Sequence, residues 1–157
     1  MFDNFAAGQG GDLDGEDNDE NGFIDNVIGW DFKRGSNNPY PDLDDEGHHG
    51  TVVGSIIAAE TNTGDAFGVA GASWYSRIMV LRAGDEDGIL LDRVIDAIDY
   101  AIENGADILN MSFDTDVDIP ALESAIATAD AAGLIMVASA GDDAAEVARY
   151  PGSYSFK

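Results

Sequence analysis

Arg77–Phe113, RIMVLRAGDEDGILLDRVIDAIDYAIENGADILNMSF, changes its hydrophobic period twice, and those changes set the fold. Arg77–Arg82 (RIMVLR) is a short apolar run of strand type, followed by the turn Gly84-Asp85-Glu86-Asp87-Gly88. From Leu90 to Asn104 the residues Leu91, Val94, Ile95, Ile98 and Ile102 recur at helical spacing and line one face of a helix. Gly105 follows as the residue best suited to the left-handed turn that ends a helix. Ile108–Phe113 (ILNMSF) reads as a short buried strand.

The alternation continues downstream. Pro120–Ala132 predicts a second helix, with Pro120 in its first turn and Gly133 past its end. Leu134–Val137, running on into Ala138-Ser139-Ala140-Gly141, predicts a third strand that ends on small residues. Strand, helix, strand, helix, strand with short connections predicts right-handed crossovers and a parallel sheet with helices on its faces. The expected fold class is therefore α/β, three-layered around a parallel central sheet. Side chains that carry chemistry gather beyond the carboxyl ends of such strands. Here those ends are Asn110–Asp114 and Ser139–Asp142.

Upstream stands Gly47-His48-His49-Gly50-Thr51-Val52-Val53-Gly54-Ser55-Ile56-Ile57-Ala58-Ala59. The small and apolar run predicts a helix from about Thr51 to Ala59 that enters a core, stopped by Thr61-Asn62-Thr63-Gly64. An imidazole at the mouth of such a helix is held at its base and open at its tip, as a general base must be. Taken alone, the segment reads more simply as a surface loop ahead of an ordinary buried helix. Val27–Phe32 (VIGWDF) is β-prone, and Lys33–Glu46 is turn-rich. The loop Gly64–Ala72 is too glycine-rich for regular structure and too apolar to float free.

Residues 12–25 read DLDGEDNDENGFID. Asp17, Asp19, Asn21, the Phe23 carbonyl and Asp25 stand at alternate positions with Gly22 at the turn, as at the start of an EF-hand calcium loop. Ca2+ takes six to eight oxygens, and a tightly turned loop points alternate side chains inward. Ile28 occupies the place of the closing glutamate, so a further segment would have to complete the shell. The plainer alternative is a solvated acidic loop.

With 157 residues the chain can bury one core, and residues 1–157 are expected to form one partial domain, with 1–46 acidic loops and 47–157 the α/β core. Cysteine is absent, which excludes disulfides and thiolate chemistry. No apolar run approaches the ~18 residues of a membrane span, and no export leader is recognised at Met1. The formal charge of −24, from 31 acidic against 7 basic residues, repels nucleic acid and anionic membrane and attracts cations. Lysine occurs only at Lys33 and Lys157, which fits a solvated acidic surface of the high-salt type.

Three ordered segments resemble the subtilase (subtilisin-like) serine protease family. His49–Ala59 resembles its histidine motif, Ala106–Phe113 its substrate-binding strand, and Gly133–Asp142 with Tyr150-Pro151-Gly152-Ser153-Tyr154 its oxyanion strand and the loop after it. Gly68-Val69-Ala70-Gly71 and the acidic NGFIDNVIGWDF stretch resemble members with a calcium-rich insertion. The resemblance implies a subtilisin-like fold truncated at both ends, a serine endopeptidase acting on polypeptides, structural Ca2+ and export from the cell. It makes His49, rather than His48, the general base, because the Gly-Thr and the two alanines fall in register only from His49. It places Asn110, Ser112 and Phe113 along the substrate cleft and Asp142 at the oxyanion position.

The sequence departs from the family pattern in three places. No apolar strand ending in Asp-Ser/Thr-Gly precedes residue 23, and Asp31 matches a later strand of the family. No Gly-Thr-Ser nucleophile segment occurs within 1–157. The triad's Asp and Ser are therefore expected outside this chain, which alone would be inactive. Asp142 replaces an asparagine, and an ionised carboxylate there would repel the oxyanion, whereas a protonated one could donate to it and favour activity at low pH. The alternative function is a non-catalytic, calcium-dependent binding or scaffold domain with a relict peptide cleft. The oligomeric state is left open.

Overall fold

A computed structural model describes residues 14–17, 19–41, 48–60, 68–85, 87–142, 144 and 146–155. The chain divides into two units, Met1–Ile89 and Leu90–Lys157. The architecture is mixed helix and strand with parallel strand pairs, the α/β class expected.

In the first unit, β1 (Gly29–Asp31) runs parallel to β2 (Val80–Arg82), with Gly29 opposite Val80 and Asp31 opposite Arg82. A short antiparallel hairpin, β3 (Gly84–Asp85) and β4 (Gly88–Ile89), frames the expected turn. The carboxylate of Asp31 has no solvent exposure. It accepts the Arg34 backbone N–H at 2.9 Å and faces the Arg82 and Arg34 Nη1 groups at 3.2 and 3.4 Å. Both guanidinium groups also reach the Tyr40 carbonyl at 3.4 Å, so one node ties β1, β2 and the loop through Tyr40. Lys33, which follows β1, pairs with Asp85 of β3 and fastens the hairpin.

Helix α1 (His49–Ala58) starts at the histidine, two residues before its predicted start. None of its residues is fully buried, and Val52 and Ile56 are 55% and 63% exposed. This departs from the expected core helix. Val52, Val53, Ile56 and Ile57 share one face, of which the described residues leave Val52 and Ile56 open, while within its unit the segment 71–73 seals the carboxyl end of the helix. The N–H groups of Ala72 and Ser73 donate to the Ile56 and Ile57 carbonyls at 2.9 and 2.8 Å, satisfying acceptors that a helix end leaves open. A β-carbon on Gly71 would overlap the backbone of Ala58 and Ala59, which fixes glycine there.

In the second unit, α2 (Leu91–Glu103) and α3 (Pro120–Ala131) lie within a residue or two of their predicted bounds. Strands β5 (Ile108–Met111) and β6 (Ile135–Ala138) pair in parallel, with Ile108 opposite Ile135 and Met111 opposite Ala138. The expected three strands thus divide between units: β2 pairs with β1, and β6 pairs with β5. The helical stripe is buried through Val94, Ala97, Ile98 and Ala101, and α3 adds Leu122, Ala125, Ile126 and Ala129. Leu109 and Met111 alternate inward from β5, while Ile108, Ile135 and Val137 are exposed on the other face. Among the described residues, no helix is long and apolar enough to cross a membrane.

Candidate active site

Each candidate residue inherits its position from an element end. His49 is the first residue of α1 and is exposed, as is His48 before it. The His48 carbonyl accepts the Val52 N–H at 2.9 Å, the first bond of the helix, so the backbone beneath His49 is fixed. A fixed backbone and an exposed position suit an imidazole that trades protons with a bound group.

In the second unit, Asn110 is the exposed residue of β5 between buried Leu109 and Met111. Its side-chain amide donates to the Ser112 hydroxyl at 2.9 Å, so two of the predicted cleft residues share one face and one hydrogen bond. Ser112 and Phe113 are partly buried just past the carboxyl end of β5. Asp142 is exposed beyond the carboxyl end of β6. The turn before it is set by Gly141, with φ +83°, whose N–H donates to the Ser139 hydroxyl at 3.0 Å. β5 and β6 are register neighbours, so Asn110 and Asp142 leave the same end of one parallel pair.

The acidic loop has its own order. Asp17 accepts the N–H groups of Asn21 and Gly22 at 3.1 and 2.8 Å, and Asn21 donates its amide to Asp19 at 2.9 Å. The Asn21 side-chain Oδ1 accepts the Phe23 N–H at 2.8 Å. The Phe23 ring meets Trp30 and Phe32 edge-on at 5.1 and 6.0 Å, anchoring the loop to β1. Partial burial, then the hydrogen bond and like charge of Asp17, push the Asp19 carboxyl above its usual value of 3.8. Oxygen donors from Asp17, Asp19 and Asn21 therefore lie together, and their chemistry suits a hard cation. Asp25 is engaged elsewhere, accepting the Asp14 and Gly15 N–H groups at 3.1 Å. Among the described residues, no three His, Asp or Glu side chains form a set that could hold a metal ion.

Two groups of residues were not singled out as important by sequence reasoning. One is the Asp31–Arg34–Arg82 node. The other is Arg149, which stands directly before the recognised Tyr150–Tyr154 loop and pairs with Asp114 past the end of β5. The available signal was scarcity: a chain with only seven basic residues places Arg82 at the end of an apolar strand and Arg149 directly before Tyr-Pro-Gly.

The fold and these positions define a parallel α/β protein with an imidazole at a helix start and polar side chains beyond paired strand ends. The chain belongs to the subtilase family, whose model matches residues 10–156. It is 38% identical over 129 residues to the thermophilic serine proteinase of Bacillus sp. (strain AK1), covering 82% of this chain and 31% of that protein. It is 36% identical over 126 residues to the halolysin-like extracellular serine protease Nep of Natrialba magadii, covering 80% and 23%. With halolysin of Haloferax mediterranei the identity is 34% over 128 residues, covering 81% and 24%. The chain thus spans a third or less of the length of these relatives.

Proposed function

We propose that residues 1–157 are the middle of a subtilisin-type serine endopeptidase in which His49 is the general base. In this reading His49 takes the proton of a serine hydroxyl outside residues 1–157 as that oxygen attacks a peptide carbonyl. It then returns the proton to the departing amine. An aspartate, also outside 1–157, holds the imidazole in the required tautomer. Asn110, Ser112 and Phe113 line the groove for an extended polypeptide, chiefly through backbone hydrogen bonds. Asp142, as its protonated acid, donates to the oxyanion, which favours activity at low pH. The observation that carries the proposal is the family match over 10–156, which takes in the histidine segment and both strand ends together.

Labelling with a fluorophosphonate serine probe tests it. The full-length protein should react, His49→Ala should abolish the reaction, and residues 1–157 alone should stay unlabelled. A full-length protein that is inert, or that labels equally well without His49, would sink the reading. Asp142 in place of an amide donor favours one alternative, a non-catalytic calcium-dependent binding domain with a relict cleft, and the inert outcome would select it.

We further propose structural Ca2+ at the acidic loop. Asp17, Asp19, Asn21 and the Phe23 carbonyl would supply oxygens, with Asp25 released from Asp14 and Gly15 to join them. Calorimetric titration should show a saturable site that weakens on Asp17→Ala or Asp19→Ala, and a flat trace would end this proposal. Export is proposed because the Natrialba magadii relative is named extracellular.

A further inference from the structure

Arg149 lies at the meeting point of two strand ends. Its Nη1 is 3.4 Å from the Asp114 carboxylate, just past β5, with the Arg149 and Asp114 side chains 17% and 25% exposed. Its stem lies against Gly141, just past β6: a β-carbon on Gly141 would stand 2.9 Å from the Arg149 Cγ and 3.3 Å from Nε. The segment that carries Arg149 is itself fastened. Tyr150 exchanges two backbone hydrogen bonds with Thr115 at 2.9 and 2.8 Å. The Tyr154 hydroxyl holds both the N–H and the carbonyl of Ile119, at 3.1 and 3.0 Å. Ser153 closes the loop onto the Arg149 backbone from both sides.

Gly141 has a left-handed φ of +83°, and the next residue is Asp142. Such a backbone has no side chain of its own to hold its direction. What covers Gly141 is the aliphatic stem of Arg149, and what fixes that stem is the ion pair to Asp114. We propose that Arg149 is a positioning residue: anchored by Asp114 and laid on Gly141, it fixes the turn that presents Asp142. Its consequence for catalysis rests on Asp142 standing at the oxyanion position; the fixing of the turn does not. The chain places one of its seven basic residues here; a lysine would keep both an aliphatic stem and a charge for Asp114, whereas methionine would keep only the stem.

The test has two arms on the full-length protein. In the first, amide NMR signals of Gly141 and Asp142 are followed in Arg149→Lys, Arg149→Met and Asp114→Asn, the last leaving the packed stem in place. Both residues should shift and broaden in Arg149→Met, less in Asp114→Asn, and stay closest to the parent in Arg149→Lys. In the second, peptide hydrolysis by Arg149→Met should lose about tenfold in kcat with KM within about twofold, as for a misplaced transition-state group, and Arg149→Lys should recover most of it. Unmoved Gly141 and Asp142 signals in Arg149→Met and Asp114→Asn would overturn the proposal. Loosened signals with unchanged kcat would overturn its catalytic part. Loosened signals in a protein with no peptidase activity would leave the positioning role standing and remove the protease reading instead.

Discussion

The parallel pairs β1–β2 and β5–β6 solve one problem by opposite means. The β5–β6 pair buries Leu109 and Met111 in an apolar layer that α2 and α3 complete with Ile98, Tyr100, Leu122 and Ile126. The β1–β2 pair encloses a fully buried carboxylate, Asp31, between Arg34 and Arg82. A close-packed apolar layer is tolerant of small errors in shape, whereas an ion pair taken out of water is held only while every partner is present. The difference teaches that one half of the molecule is secured by area and the other by pairing, and each should fail in its own way.

Removing the buried charge should give the largest effect. Asp31→Ala leaves two guanidinium groups facing each other at the Tyr40 carbonyl and should cost about 3–5 kcal/mol in urea unfolding. Because the node is buried, the loss should persist at high salt, where surface pairs are screened. Replacing the pair together, Asp31→Leu with Arg82→Met, should restore much of the stability, since apolar residues of similar volume often substitute for a buried ion pair. A loss under about 1 kcal/mol for Asp31→Ala, the range of an exposed pair, would dissolve the contrast between the two regions.

The apolar pair should fail more gently. Leu122 is 2% exposed in the first turn of α3, and Leu122→Ala should cost about 3 kcal/mol through lost transfer energy and a residual cavity. Leu122→Met, which keeps the volume, should cost less than about 1.5 kcal/mol. Equal losses for the two variants would show that the site is not packed as an apolar core.

These two regions also differ in how much of them could be read from sequence. Val94, Ile98 and Ile102 announce a helix because a 3.6-residue period is a local signal, and α2 follows it to within a residue. The expected residues Asn110, Ser112 and Asp142 lie at strand ends because a parallel α/β alternation dictates where strands end. Asp31 and Arg82 stand 51 residues apart, and no period links a carboxylate in one strand to a guanidinium in another. The pairing of β2 with β1 was hidden for the same reason, since periodicity shows that a strand exists but not which neighbour it takes. α1 shows the converse limit: its apolar residues predict burial, but burial depends on what lies over them, which no local pattern contains.

The smallest effect is expected where the second region does rely on a polar tie. Tyr154→Phe removes the hydroxyl that bridges Ile119 at the start of α3, and should cost about 1 kcal/mol, as a single net hydrogen bond does. Its pH dependence distinguishes this tie from packing. Partial burial first, with the nearby carboxylates of Asp118 and Glu123 adding to it, raises the Tyr154 hydroxyl above its usual value of 10.0, against the opposing hydrogen bond from Ile119. A raised folded-state value means that the contribution is complete below the unfolded value and is lost as pH rises through the folded one. The phenolate could still accept the Ile119 N–H but could no longer donate to its carbonyl. The stability gap between the parent and Tyr154→Phe should therefore stay level to about pH 10 and shrink above it, measured by urea unfolding across pH 7 to 11. A gap that widens in alkali would mean that the hydroxyl is held as phenolate, and that the tie between Tyr154 and α3 is electrostatic after all.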